Sequence, residues 1–342
     1  MSTSNNNTTK LKVIDGDISD IESDDDNERK ILNSAVNDND NDNDNDDNDN
    51  DNDDNDNDND NDDDGYSDID EDVEVYIETT ETQLFRVIFE CVKDKIHFGV
   101  LIVSKEGISL GQMDMSNTLT IDLYLKSTKF NRFLCSSDTH VLIPLDFRNF
   151  HKLIKSTNNM DTLTIIKYKD DYKLTIEIKN TTNKMRSFKL RLRDENAVQI
   201  KKVDNQNIVF LMDTAHFQEM CKDMVNIRDS NNDKMKVVFI CSNKNVTFKG
   251  VSTFAEARID YIYSGDDVKK DNILFTRYET EDLVQSEFNL HHVTPFMKCC
   301  SLCKNVEIHI DNDKPIIIVF KFALGTLSLH LMQRRKDITI RD

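Results

Sequence analysis

A row of basic side chains follows one side of a predicted helix over residues 145–156. Arg148, Lys152 and Lys155 are spaced i, i+4 and i+7, which brings them together on the helix surface. Phe147 and Phe150 fall on the opposite, apolar side. Basic rows without interleaved aromatic side chains suit contacts with backbone phosphates rather than with bases. A surface built from such rows would bind DNA in a sequence-independent, salt-sensitive way.

Three further predicted helices, over residues 82–96, 214–226 and 290–300, carry weaker basic rows opposite an apolar face. One such row is ordinarily a solvated surface, but four rows in equivalent places of a repeated unit favour a shared DNA-facing surface. The basic residues of these four rows are Arg86, Lys93, Arg148, Lys152, Lys155, Lys222 and Lys298.

The sequence lacks the motifs of catalysis and of metal binding. Its eight glycines form no phosphate-binding loop, and neither a His-Glu-x-x-His nor a Gly-x-Ser-x-Gly motif occurs. The cysteines at 299, 300 and 303 have no second Cys-x-x-Cys pair to complete a zinc site. We therefore expect small buried cysteines at a helix end. We also expect a protein that is not an enzyme and that needs no cofactor or metal.

The elements that must position the basic rows are strands built on a repeated pattern. Residues 105–125 alternate apolar and polar side chains on both sides of a polar crossing, which predicts two half-buried strands. The same shape returns about 138 residues later, in residues 243–263. Each half therefore predicts antiparallel strands with two helices, an α+β fold of two similar domains. The predicted domains cover 73–196 and 208–335, with a connector at 197–207 and a short tail at 336–342.

The chain has 342 residues and a formal charge of −21, but the charge is uneven. Residues 1–72 hold 28 of the 64 acidic side chains and 4 of the 43 basic ones, a net of −24, which leaves a net of +3 for the remainder. Residues 37–64 are almost entirely Asn and Asp, so this acidic tail is predicted to be disordered. It is interpreted either as an electrostatic brush or as a repeat-expanded tail without a specific role.

The compartment is predicted from what the sequence lacks. Residues 1–10 are polar and do not resemble a signal peptide, and no apolar run approaches the ~18 residues of a membrane span. The seven cysteines are odd in number and lie mostly in apolar patterns, which favours a reducing interior. We expect a protein that is not secreted and has no membrane partner.

Three segments, in this order and spacing, resemble the sliding clamps of the proliferating cell nuclear antigen family. They are Gly107-Ile-Ser-Leu with Gln112-Met-Asp-Met-Ser, the helix FQEMCKDM from Phe217 to Met224, and Lys314-Pro-Ile-Ile-Ile-Val-Phe-Lys. The resemblance covers residues 73 to about 335. It implies a DNA-clamp fold and a ring-forming homotrimer, with helices lining the central hole and sheets outside. The seven basic residues named above are thereby predicted to face the DNA duplex. The resemblance further implies a non-catalytic processivity factor that slides on DNA and tethers a DNA polymerase.

The resemblance also implies a pocket for partner peptides and a contact between subunits. The pocket is expected to be framed by Met113, Asn117, Thr118, Ile200, Val203, Pro315, His330 and Met332. One edge strand is expected to carry Phe188, Lys189, Leu190 and Arg191 to the neighbouring chain. The edge strand of the neighbouring chain that pairs with it is expected to carry Ala257, Arg258, Ile259, Asp260 and Tyr261. Backbone pairing of this kind would close the ring and leave no edge exposed.

The implied partners are duplex DNA, a DNA polymerase, a clamp loader and other proteins with a clamp-binding motif. The implied location is the nucleus or a cytoplasmic viral replication compartment. Two alternatives keep the fold: a monomeric or dimeric processivity factor that holds DNA on one face, and a checkpoint-type clamp subunit. A third makes the acidic tail primary, as a histone-binding or DNA-mimic protein. The net charge of +3 outside the tail argues against the third.

Overall fold

The computed structural model describes residues 69–194, 206–229, 235–263 and 273–333, and they form an α+β fold. The helices are α1 (Thr82–Lys95), α2 (Phe147–Ile154), α3 (Thr214–Asn226) and α4 (Leu290–Val293), with 3-10 helices η1 (Ser127–Lys129) and η2 (Thr294–Leu302). The strands of the first half are β1 (Val73–Thr79), β2 (Phe98–Ser104), β3 (Gly107–Met113), β4 (Leu119–Lys126), β5 (Arg132–Cys135), β6 (Val141–Asp146), β7 (Thr162–Tyr168), β8 (Lys173–Lys179) and β9 (Met185–Arg191). The strands of the second half are β10 (Ile208–Asp213), β11 (Lys236–Ser242), β12 (Asn245–Val251), β13 (Glu256–Ile262), β14 (Ile273–Tyr278), β15 (Val284–Asn289), β16 (Asn305–Ile310), β17 (Ile316–Phe322) and β18 (Gly325–Leu331).

The two halves repeat each other element for element, and the pairs described are antiparallel. The strands form sheets in the orders β5-β1-β7-β8-β9, β13-β12-β11-β15 and β14-β10-β16-β17-β18-β4-β3-β2-β6. The nine-stranded sheet contains strands of both halves, which meet where β18 pairs with β4. The predicted α+β fold of two similar halves is thus confirmed.

The seam between β18 and β4 joins the last strand of the chain to the fourth. Leu329 lies opposite Ile121, and both side chains are fully buried. At one end of the seam, a Cβ atom on Gly325 would lie 1.9 Å from the backbone oxygen of Tyr124. Only glycine permits this approach, so Gly325 is a structural requirement of the seam.

The four helices pack on the sheets through apolar faces. In the first half, the ring of Phe89 lies 5.8 Å from that of Phe147 and 4.8 Å from that of Phe150, between centroids. These contacts fix α1 against α2. α1 also packs against η2, and α3 packs against η2 and α4, so the helices of both halves form one layer. The polar sides of these helices face away from the core.

Two predictions about the elements of the second half were incomplete. The helix predicted over residues 290–300 is α-helical only in α4 and continues as the 3-10 helix η2, with Pro295 at its start. Proline lacks the N–H that an α-helix needs, which explains the change. The strands β14 and β15 were not predicted. Most of the proposed connector, residues 1–68 of the proposed acidic tail and the proposed tail at 336–342 lie outside the described residues. The domain limits therefore stay predictions.

Candidate nucleic-acid interface and partner surfaces

Four of the seven predicted DNA-facing residues surround one groove between α1 and α2. Lys93 contributes from α1, and Arg148, Lys152 and Lys155 contribute from the other side of a groove of about 470 Å³. The carboxylate of Asp146 accepts a hydrogen bond from the Asn149 backbone at 3.0 Å and so begins α2 at this point. The remaining lining residues are Asp94, His97 and His151.

Interactions inside the groove leave its basic side chains unequal. The guanidinium of Arg148 is hydrogen-bonded to Nε2 of His97. The ammonium of Lys93 lies 2.6 Å from a carboxylate oxygen of Asp94, whereas Lys152 and Lys155 are exposed. Cations concentrated around a concave surface attract polyanions from solution. The groove is therefore suited to contact a phosphate backbone.

Arg86, at the start of α1, has a different environment. Its guanidinium donates a hydrogen bond of 2.9 Å to the backbone oxygen of Thr157, in the segment after α2. The structure therefore places Arg86 outside the residues that line the groove.

The two basic residues of the second half stand among acidic ones. Lys298 of η2 forms an ion pair with Glu90 of α1, which links the two halves on the helix layer. This hydrogen bond lowers the pKa of the Glu90 carboxyl, and the same contact raises the pKa of Lys298. Lys222 is exposed on α3 together with Glu219 and Asp223. The helix surface of the second half is therefore less positive than the α1–α2 groove.

Three residues at this surface, His97, His151 and Glu90, were not predicted from the sequence. His151 could have been found, since it directly precedes Lys152 in the basic row. Glu90 lies four residues after Arg86, a spacing that predicts an ion pair within the helix. Instead, Arg86 bonds to the backbone of Thr157 and Glu90 pairs with Lys298. Helical spacing alone does not reveal such tertiary contacts.

The predicted partner pocket begins at the turn between β3 and β4. A carboxylate oxygen of Asp114 accepts hydrogen bonds of 2.8 Å from the backbone N–H groups of Thr118 and Leu119. Asn117 has a positive φ of 54°, which asparagine tolerates well. The hydroxyl of Thr118 lies 2.8 Å from Nε2 of His292 in α4. The turn is thereby fixed to the helix layer.

The end of β18 forms the other side of this predicted pocket. The N–H of Met332 donates a 2.9 Å hydrogen bond to the oxygen of Thr118. His330 lies opposite Thr120 on β4, which itself lies opposite Met113 on β3. His330 is buried and Met332 is exposed, and burial lowers the pKa of His330.

Pro315 lies beside the same strand end. The amide of Gln333 donates to the backbone oxygen of Lys314 at 2.6 Å, and that of Gln206 donates to the oxygen of Pro315 at 2.9 Å. The structure thus brings together Met113, Thr118, His330, Met332 and the region of Pro315. Ile200 and Val203 lie outside the described residues.

The strands predicted to join subunits are both sheet edges in the structure. β9 and β13 each end a sheet, and each has one partner strand within the residues described. On β9, Phe188 and Leu190 pack against the core, whereas Lys189 and Arg191 are exposed. On β13, Ala257, Ile259 and Tyr261 pack inward. Arg258 and Asp260 form an exposed ion pair of 2.7 Å.

Other features bear on the classes of function considered. Cys299 and Cys300 are buried and Cys303 is half-buried, as expected for cysteines that fill space. In the part of the chain that the structure describes, no group of three or more His, Cys, Asp or Glu side chains could hold a metal ion. Of the helices described, none is long and apolar enough to cross a membrane.

A single helix layer with basic side chains, backed by antiparallel sheets that repeat in two halves, defines a DNA-clamp fold. Two family models match the chain: the N-terminal domain of proliferating cell nuclear antigen over residues 75–199 and its C-terminal domain over residues 199–334. The chain belongs to the proliferating cell nuclear antigen family.

Individual relatives and solved structures agree with this family. The chain is 24% identical over 265 residues to the "Probable DNA polymerase sliding clamp 1" of Paramecium bursaria Chlorella virus 1, covering 75% of this chain and 95% of the relative. It is 23% identical over 262 residues to "Proliferating cell nuclear antigen 2" of Drosophila melanogaster, covering 75% and 96%. The crystal structure of proliferating cellular nuclear antigen from Entamoeba histolytica has a similar fold, with a TM-score of 0.66 at 20% identity, over 77% of this chain and all of that one.

Proposed function

We propose that this chain acts as a sliding clamp that encircles duplex DNA, tethers a DNA polymerase and itself catalyses no reaction. The observation that carries the proposal is the seam between β18 and β4, which joins the two halves within one chain. The seam joins the ninth strand of the second half, β18, to the fourth strand of the first half, β4. The ninth strand of the first half, β9, and the fourth strand of the second half, β13, are both open sheet edges. A second copy of the chain can satisfy both edges by repeating the seam.

The repeat predicts the register of this contact between chains. Equivalent positions of the two halves are found by following the strand pairing across each sheet. Phe188 on β9 is then equivalent to Leu329 on β18, and Ala257 on β13 is equivalent to Ile121 on β4. Leu329 lies opposite Ile121 in the seam. Phe188 of one chain should therefore lie opposite Ala257 of the next.

One position further along, the same register sets Lys189 opposite Glu256. Both side chains are exposed in the single chain. Opposite charges that face each other across a strand pair are favourable, whereas like charges are unfavourable. This complementarity supports the register and adds Glu256 to the predicted subunit interface.

A contact between two different edges is a head-to-tail contact, which generates either a closed ring or an open filament. The family resemblance supports closure with three chains, a homotrimer. In that ring the helix layer, with its seven predicted basic residues, faces the DNA. The four basic residues that line the α1–α2 groove contact phosphates through a screened, sequence-independent attraction. Such contacts allow the protein to slide.

The partners follow from the same family. The name of the Chlorella virus relative, a probable DNA polymerase sliding clamp, supports a polymerase as the tethered protein. Clamp-binding peptides are proposed to enter the pocket at Met113, Thr118, Pro315, His330 and Met332. A clamp loader is proposed to open the ring. Because the two relatives come from a virus and an animal, the nucleus or a viral replication compartment is the proposed location.

The proposal is tested by primer extension on long primed templates with a clamp-dependent polymerase. Replacing both Lys152 and Lys155 with Glu reverses two exposed charges of the α1–α2 groove, so processivity should fall while the circular-dichroism spectrum is retained. The matched control replaces both Lys126 and Lys129 with Glu; these are also exposed and three residues apart, but belong to β4 and η1. Equal processivity of the two double variants would contradict the assignment of the groove to DNA.

A further inference from the structure

The α1–α2 groove contains a histidine whose position the DNA-binding proposal does not use. His151 of α2 is 9% exposed and lines the groove. Its Nε2 atom is buried without a hydrogen-bond partner among the described residues. A buried polar atom without a partner is unfavourable, and a bound water or ion is one of the ways in which it is satisfied.

The surroundings of His151 favour an anion. Besides His151, the groove is lined by four basic side chains, His97 and a single carboxylate, that of Asp94. That carboxylate is already paired with Lys93 at 2.6 Å. Lys152 and Lys155 are exposed beside the histidine, and their flexible stems can move to admit a ligand. A phosphoryl oxygen accepts hydrogen bonds from ammonium, guanidinium and imidazolium groups.

We propose that this groove is a discrete phosphate-binding site in which Nε2 of His151, once protonated, donates to a phosphoryl oxygen held by Arg148, Lys152 and Lys155. The phosphate can come from the DNA backbone or from a free phosphate ion. The site would hold one phosphate more tightly than the rest of the helix layer does. Its affinity rises as the pH falls.

The sign of this pH dependence follows from the charges around the imidazole. Burial, and after it the charge of Lys93, lowers the pKa of His151, so without a ligand the ring is neutral at neutral pH. Glu90 and Asp94 of α1 oppose this lowering of the pKa, and Lys155, directly after α2, adds to it. A bound phosphate places negative charge at the ring and favours the imidazolium. Phosphate binding and proton uptake are therefore coupled.

The first experiment follows the eight histidine rings of the full chain by NMR, with the signal of His151 assigned by its loss in His151→Asn. The midpoint of the His151 titration is measured alone, with inorganic phosphate and with a short DNA duplex. We expect it to rise by about one pH unit, which corresponds to a tenfold preference of the anion for the protonated ring. A rise with either probe supports the site, and a rise with only one of them identifies that probe as its source of phosphate. An unchanged midpoint with both probes contradicts it.

The second experiment measures DNA affinity against pH at constant ionic strength. The wild-type chain should bind more tightly as the pH falls from neutral, and His151→Asn should lose most of this gain. His140→Asn is the matched control, because His140 is exposed between β5 and β6 and away from the helices. The same gain in His151→Asn and in the wild type would contradict the inference. The DNA measurements rest on the proposed function, whereas the inorganic phosphate titration does not. A failure of the phosphate site can therefore be distinguished from a failure of the proposed clamp function.

Discussion

Replacing Glu90 with Gln should strengthen DNA binding at little cost to the fold. Glu90 neutralises Lys298 on the helix layer, and their side chains are 32% and 51% exposed. An ion pair this exposed contributes about 0.2–1 kcal/mol, so the free energy of unfolding should fall by less than ~1 kcal/mol. Glu90→Gln removes the carboxylate charge and leaves the ammonium free to contact a phosphate.

The gain in DNA binding has a defined salt dependence. Each additional phosphate contact steepens the slope of log K against log salt by about 0.9. If Lys298 gains one such contact, the loss of affinity between ~50 mM and ~200 mM salt should grow by a factor of about 3.5. The assay is fluorescence anisotropy with a labelled duplex over a series of salt concentrations.

Glu106→Gln is the matched control, because it removes the same charge from the turn between β2 and β3. Its slope should equal that of the wild type. A slope for Glu90→Gln that is unchanged, or less steep than that of the wild type, would refute the placement of Lys298 on the DNA-facing layer.

The same pair sets a pH dependence of stability. Because Lys298 lowers the pKa of Glu90, the pair stabilises the fold above the ordinary pKa of glutamate. This stabilisation is lost as the pH falls through the lowered value. Urea unfolding should therefore separate Glu90→Gln from the wild type at neutral pH and not in strong acid.

The remaining predictions concern the seam, the ring contact and the pocket. Lys189→Glu should weaken self-association by setting like charges opposite each other, and adding Glu256→Lys should restore it, as measured by light scattering; failure of the double variant to recover would contradict the register. Gly325→Ala should lower the free energy of unfolding by about 1–3 kcal/mol, because its Cβ meets the Tyr124 oxygen, and an unchanged urea midpoint would count against the seam. His292→Ala should weaken binding of a clamp-binding peptide about fivefold by releasing the β3–β4 turn, and calorimetry showing equal affinity would exclude this role.

The local features of the fold were readable from the sequence. Arg148 and Lys152 lie on α2 and Lys155 directly follows its last residue, as the helical spacing predicts, and the alternation of residues 105–125 forms β3 and β4. β15 was missed because its polar residues give no clear apolar pattern, and Ser286 is buried there. A buried hydroxyl that donates to the oxygen of Asp311 at 3.0 Å is a tertiary feature that periodicity does not encode.

Contacts between the halves were beyond sequence reasoning. The pairing of β18 with β4 joins segments about 200 residues apart, and each strand alone only shows that one face is buried. The pair of Glu90 with Lys298 and the contact of Thr118 with His292 also cross between the halves. The pocket and subunit residues came from the family resemblance, because neither spacing nor charge distinguishes them from other surface residues.

Encirclement of DNA is tested most directly on linear duplexes whose ends can be blocked. The full chain is incubated with DNA that carries biotin at both ends, streptavidin is then added, and the complex is filtered at a salt concentration that abolishes electrostatic binding. A ring that has threaded onto the duplex should be retained on DNA with blocked ends and lost from DNA with free ends. Equal loss from both would show that the chain holds DNA on a surface and does not surround it.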